Sequence, residues 1–208
     1  MSTVETTPAR WIGADSAGVR MTPEEFDSFE EGEWDELYRY EFVNGVLVVR
    51  ELESDEICDL NQRLGNEFWL WMRNEDRAGE QFRTLPNRYL YLKRSRRLVH
   101  RMVWTGIHGR PKSTDIPAIA VDFLSPGTRY WKRDYEVRCD EYLSAGVREY
   151  CVVDCLERKV SVFRQDDGRS RTQVIDENGA YRTSVLPGFE LPLKSWFAEL
   201  DKWERTQE

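Results

Sequence analysis

Residues 116–153 constrain the fold more than any other stretch of the chain. The run Ile-Pro-Ala-Ile-Ala-Val-Asp-Phe-Leu at 116–124 is apolar apart from one acid, Asp122. Ser125-Pro126-Gly127 breaks it, and a helical segment follows over about 131–145 until Gly146 stops it. Glu-Tyr-Cys-Val-Val at 149–153 is then a second strand-like run. Near-continuous apolar runs joined through a helix predict two parallel strands in a right-handed crossover. Sheets with parallel strands place their ligands beyond the carboxyl ends of those strands, and Asp122 stands close to one. A buried carboxylate is costly unless paired or metal-bound, so Asp122 calls for a partner.

The remaining elements fall on either side of this unit. Residues 1–20 read as a flexible tail. Thr22-Pro23-Glu24-Glu25 is a helix start, with Thr22 as N-cap, Pro23 at the first helical position and Glu25 closing a capping box. Residues 38–43 and 46–52 flank Asn44-Gly45 and predict a hairpin with a type I′ turn, with Glu41 in its first arm. Ile57, Leu60, Leu64, Phe68 and Trp71 recur at helical spacing from residue 55 to about 78, where Gly79 would end the helix. Its aromatics, Phe68, Trp69 and Trp71, suit a core or a dimer contact. Strands are expected over 81–85, 87–92 and 98–104, followed by a loop over 105–115. Beyond the central unit come a strand at 159–163, a turn at Asp166-Asp167-Gly168, short strands near 173–175 and 181–185, and a helix over about 193–203. The sum is a mixed α/β domain.

Composition excludes several classes. At 208 residues, with 40% hydrophobic and 12% aromatic, the chain can bury a sizeable core. No apolar run approaches the roughly 18 residues that span a bilayer, and the N-terminal stretch lacks the basic start and apolar core of a secretory signal. Four cysteines without paired Cys-x-x-Cys motifs suit a reduced, cytoplasmic setting, and two histidines make a zinc site unexpected. The formal net charge is −8, but it is segregated. Residues 1–56 hold fifteen acids and four bases, whereas residues 82–114 hold nine bases and no acid. That segment could be a basic, phosphate-binding face, or simply solvated bases that partner the acidic N-terminal part.

Met-Thr-Pro-Glu-Glu-Phe (21–26), Tyr-Glu-Phe-Val-Asn-Gly-Val-Leu-Val (40–48), Val-Asp-Phe-Leu-Ser-Pro-Gly-Thr (121–128), Tyr-Leu-Ser-Ala-Gly-Val-Arg-Glu-Tyr (142–150) and Leu-Pro-Gly-Phe-Glu-Leu (186–191) occur in an order and spacing that resemble the bacterial Uma-type restriction-endonuclease family. The resemblance covers roughly residues 21–200. It implies the PD-(D/E)XK, restriction-endonuclease-like fold: a central mixed sheet flanked by helices, with an N-terminal hairpin and long helix, as one domain over 21–208.

It also implies a chemistry. Such nucleases hold Mg²⁺ between carboxylates, activating water and neutralising phosphate charge, while a lysine steadies the pentavalent centre. The matching metal ligands are Glu41 and Asp122. Counting back from Tyr142 puts Arg138 where the family has a lysine displaced into the helix, with Lys132 as the substitute, Asp134 as a nearby acid and Leu124 in the usual lysine slot. Aligning residues 99–104 on the family strand ending in Val-Pro-Asp puts Arg101 at an aspartate ligand position. There it would pair with Asp122 or Glu41 and fill the site with a salt bridge. The expectation is therefore a metal-dependent DNA endonuclease with a partly degraded active site. The alternatives are a non-catalytic nucleic-acid binder and a homodimeric regulatory module that binds no nucleic acid.

Overall fold

The computed structural model describes residues 11–73, 81–124, 131–166 and 169–204. Residues 1–10, the Gly79 stop, the Ser125-Pro126-Gly127 break and the turn at 167–168 lie outside them. The chain groups into two compact units, Met1–Leu52 with Tyr91–Leu98, and Glu53–Leu90 with Val99–Glu208.

The first unit is built on the predicted hairpin. Strands β1 (Tyr38–Val43) and β2 (Val46–Glu51) pair antiparallel, with Val43 opposite Val46. Asn44 and Gly45 have φ of 50° and 89°, the positive angles a type I′ turn requires and that Asn and Gly tolerate best. Helix α1 (Pro23–Asp27) carries the full capping box: Glu25 N–H donates to Thr22 Oγ1 at 3.1 Å, and Thr22 N–H donates to Glu25 Oε2 at 2.7 Å. Its one buried residue, Phe26, packs on Trp34 and Phe42. Residues 11–20 are not a loose tail. Ile12 bridges to Trp34, Arg20 bridges to Val46, and the Gly18 N–H donates to Leu47 O at 2.8 Å. The hairpin edge leaves backbone groups unpaired, and this segment satisfies them.

The second unit holds the central layer. Helix α2 (Asp55–Met72) buries Ile57, Leu60, Leu64 and Phe68, the apolar stripe read from its spacing. Strand β3 (Phe82–Tyr91) runs unbroken through Pro86, where two strands were expected. Among the described residues β3 pairs only with β4 (Ser95–Thr105), and an edge strand tolerates a proline that would remove a ladder bond elsewhere. From β4 the order continues through β5 (Ile119–Leu124), β6 (Glu149–Asp154), β7 (Lys159–Asp166) and β8 (Arg169–Asp176). Strands β5 and β6 are parallel and connected through α3 (Trp131–Ser144), as the apolar runs predict; the other neighbours pair antiparallel. The closing elements are β9 (Ala180–Arg182), β10 (Glu190–Pro192) and two short helices, α4 (Leu193–Phe197) and α5 (Leu200–Glu204), where one helix was expected.

The main core lies on one face of this sheet. Val121, Phe123, Cys151 and Val153 meet Leu64 and Phe68 of α2 and Trp196 and Phe197 of α4. Of the α2 aromatics, Phe68 is core, Trp71 donates its indole N–H to Pro187 O at 3.2 Å, and Trp69 is exposed. Residues alternate across a strand, so Asp122 and Tyr150 point to the opposite face, toward α3. The four cysteines are free thiols. Burial pushes Cys139 up to about 11 and Cys155 up to about 12; Cys139 is buried and Cys155 is partly buried against the core.

Candidate functional site

Asp122 is buried completely, and both of its oxygens are engaged. Oδ1 accepts from the His100 ring at Nδ1, 2.9 Å away, and from the His100 backbone N–H at 3.3 Å. Oδ2 accepts from Arg138 Nη1 at 3.1 Å and from the Tyr150 hydroxyl at 3.0 Å. Each partner comes from a different element: His100 from β4, Arg138 from α3, Tyr150 from β6. Arg138 Nη1 also lies 3.0 Å from the Tyr142 hydroxyl one helical turn on. Burial alone would raise the Asp122 carboxyl; the Arg138 charge, then the His100 and Tyr150 hydrogen bonds, outweigh it and hold the group well below the usual carboxylate range. The same burial, reinforced by the Asp122 charge, pushes the Tyr150 phenol well up, so it stays a protonated donor. On its far side the His100 ring approaches Glu53, Nε2 to Oε1 at 3.7 Å.

Arg101 is not a member of this cluster. Register pairs Arg101 with Val121, which sets His100 opposite Asp122 and turns Arg101 to the other face. There its Nε donates to Asn61 Oδ1 at 2.7 Å and its Nη1 to Thr84 Oγ1 at 3.2 Å. The expected Arg101–Asp122 ion pair is replaced by Arg138–Asp122, because a shift of one residue along a strand exchanges its faces. His100, which sequence reasoning passed over, holds the place given to Arg101. Strand β4 is buried on both faces over residues 101–104, so its hydropathy carries no alternation from which that parity could be read. Lys132 lies in α3, but its side chain, like that of Asp134, is outside the described residues. Leu124 is a buried β5 residue.

Glu41 belongs to the first unit and is almost fully buried, not an exposed hairpin acid. Its Oε1 accepts the Leu98 backbone N–H at 2.9 Å, while Oε2 lies 3.3 Å from Arg50 Nε and 3.7 Å from Arg97 Nη1. A third buried acid, Glu149 on β6, is held by Arg164, Tyr181 and Thr183 and ties β6 and β7 to the closing segment.

The two expected metal ligands share a feature: each is buried and each already has an arginine beside it, Arg138 at Asp122 and Arg50 and Arg97 at Glu41. A Mg²⁺ ion needs open oxygens at about 2.0–2.1 Å and keeps several waters. Asp122 has no oxygen free for one, and the fixed charge of Arg138 stands where a dication would approach. Among the described residues no group of three or more His, Cys, Asp or Glu side chains could hold a metal ion. The donor set around Asp122 does not fit Mg²⁺. What the arrangement does chemically is fix a buried anion with a protein cation.

Of the nine bases between 82 and 114, Arg97 and Arg101 are buried and Arg96 pairs with Asp27 at 2.8 Å. Arg83, Arg110 and Lys112 in the second unit, and Lys93 and Arg94 in the first, are exposed.

Comparison with known proteins adds two findings. The sequence profile of a family described as "Uma2: Putative restriction endonuclease" matches residues 23–194. Among solved structures, a "putative nuclease belonging to DUF820" from Anabaena variabilis ATCC 29413 superposes with a TM-score of 0.70 at 16% identity, over 86% of this chain and 99% of that one. At that identity the likeness shows the shared fold. No curated protein matches the sequence.

Proposed function

The chain belongs to the Uma2 restriction-endonuclease family, and from that premise we propose that it is a DNA-binding protein of the nuclease fold in which Arg138 has taken the seat of a metal ion. The observation that carries this reading is the closure of Asp122, whose two oxygens are shared among His100, Tyr150 and Arg138. A carboxylate so engaged is a poor ligand, and expelling Arg138 to free it would strand a buried cation. DNA is the partner on the strength of the family's described activity. The exposed Arg83, Arg110 and Lys112 of the second unit supply the phosphate contacts, so affinity should fall steeply with added salt. The four free cysteines agree with a cytoplasmic setting. No helix among the described residues is long and apolar enough to cross a membrane. Self-association would use the exposed Trp69 and Leu70 of α2.

A second reading follows from the family's described activity. It is a metal-dependent endonuclease with Asp122 as a ligand and Arg138 in the lysine role, with Lys132 as its substitute. One experiment separates the two. Supercoiled plasmid is incubated with the protein in Mg²⁺ and in Mn²⁺, beside duplex binding followed by anisotropy over a salt series. Salt-sensitive binding without nicking is expected. Nicking that depends on the metal and disappears in Asp122→Asn would overturn the proposal in favour of the endonuclease.

A further inference from the structure

Arg101 poses a problem that its own neighbours do not solve. Its side chain is 3% exposed, yet among the described residues no carboxylate partners it. Its two hydrogen bonds go to neutral groups, the Asn61 amide and the Thr84 hydroxyl. Buried guanidinium groups are ordinarily matched by an anion, because desolvating a cation is costly and neutral acceptors recover only part of that cost.

The surroundings nevertheless hold this cation in place. Asn61 donates its amide N–H to His100 O at 2.8 Å, which turns its Oδ1 toward Arg101 and fixes that rotamer. Gly65 on α2 leaves the space the guanidinium fills: a Cβ there would stand 2.5 Å from Nη1 and 2.8 Å from Nη2. Nη2 makes no hydrogen bond among the described residues and is not among the fully enclosed unsatisfied nitrogens. It keeps an open edge.

We infer that Arg101, with Asn61 and Thr84 beside it, is a binding site for a small oxyanion of the phosphate class, on the sheet face opposite Asp122. Nη2 carries the donors that Asn61 and Thr84 leave unused, and the Thr84 hydroxyl, which accepts from Nη1 at 3.2 Å, can donate its own proton to the same anion. A guanidinium this deeply placed is out of reach of the backbone of an intact duplex. Free phosphate and the terminal phosphate of a strand end present the same chemistry to it. Burial supports the assignment from another side: it pushes Arg101 down to about 10, the shift of a cation that lacks its counter-charge.

The test is thermal unfolding of the full chain in inorganic phosphate against sodium chloride of equal ionic strength. At about 20 mM phosphate the wild type should gain roughly 4 °C over the chloride control if binding is near millimolar. Arg101→Met should lose that gain and, in phosphate-free buffer, unfold no earlier than the wild type, since it removes an uncompensated buried cation. Gly65→Ala keeps every charge but drives a Cβ into the guanidinium, and should reduce the gain; it carries the comparison if Arg101→Met fails to fold. A short single strand with and without a 5′-phosphate then identifies the source: beside the inorganic phosphate gain, a further gain with the phosphorylated but not the unphosphorylated strand assigns a strand end, and no gain with either strand assigns the free ion. Equal responses to phosphate and chloride in the wild type would overturn the inference, as would an undiminished phosphate gain in Arg101→Met or Gly65→Ala. Plasmid cleavage plays no part in the readout, so the result stands apart from the fate of the proposed function.

Discussion

Asp122→Ala is expected to lower the unfolding free energy by about 3–5 kcal/mol, measured by urea denaturation at near-neutral pH with tryptophan fluorescence. The size follows from what the substitution leaves behind. Arg138 is 4% exposed and would keep its charge without the carboxylate, while the Tyr142 hydroxyl beside it is neutral. The Tyr150 phenol and the His100 ring would lose their acceptor in the same space. The control is Asp122→Ala combined with Arg138→Met. Removing both charges from a buried pair is often nearly neutral, so the double variant should recover most of the loss. A single variant within about 1 kcal/mol of wild type would mean that Arg138 reaches water without Asp122, and the closed-site reading would fall.

The same pair dictates a pH dependence of known sign. Asp122 has an ordinary value of 3.8 and is held below it in the fold. A carboxylate depressed by folding contributes stability that is fully present above its unfolded value and is lost as pH falls through the folded one. The wild type should therefore lose stability as the pH drops below about 3.8, and the double variant should lose less across that window. Equal slopes would place the depression elsewhere.

Much of the fold was legible because its signals are local. Asn44-Gly45 fixes a turn by backbone chirality, Thr22 and Glu25 close a cap on each other, and the apolar spacing of α2 selects its buried face. The crossover of β5, α3 and β6 is legible for a related reason, since two doubly buried strands leave little choice but a parallel pair with a helix between them. Pro86 misled because strand position decides its cost, and whether a strand lies at an edge is a property of the whole sheet. The site was legible only in part. Asp122 was marked by being the one acid in an apolar strand, and Arg138 only by the family resemblance, which puts a displaced lysine at its position. His100 and Arg101 are adjacent, and which of them faces Asp122 depends on the register between β4 and β5. That register is set by tertiary pairing, and no residue type in β4 announces it. The cost of the error is instructive: the same arginine that seemed to fill a metal seat beside Asp122 becomes, one face away, a cation in want of an anion.

Glu41→Ala should destabilise the protein by about 2–3 kcal/mol, less than the change at Asp122. Glu41 is as deeply buried, but its partners are better able to recover. Arg50 is more than one-third exposed and can turn to water, and Arg97 stands 3.7 Å away, beyond a close hydrogen bond. The sharpest loss is the Leu98 N–H, which donates to Glu41 at 2.9 Å and would be left without that acceptor. Glu41→Gln keeps a carbonyl oxygen for that N–H while removing the charge, so it should retain roughly half of the stability that Glu41→Ala gives up. Hydrogen exchange at Leu98 gives a residue-level check: its amide should exchange faster in Glu41→Ala and close to the wild-type rate in Glu41→Gln. If Glu41 also serves as a metal ligand, Glu41→Gln should abolish metal-dependent nicking while Leu98 exchange stays close to the wild-type rate. Nicking and Leu98 exchange together therefore separate a metal role from the structural one that the Leu98 contact gives it.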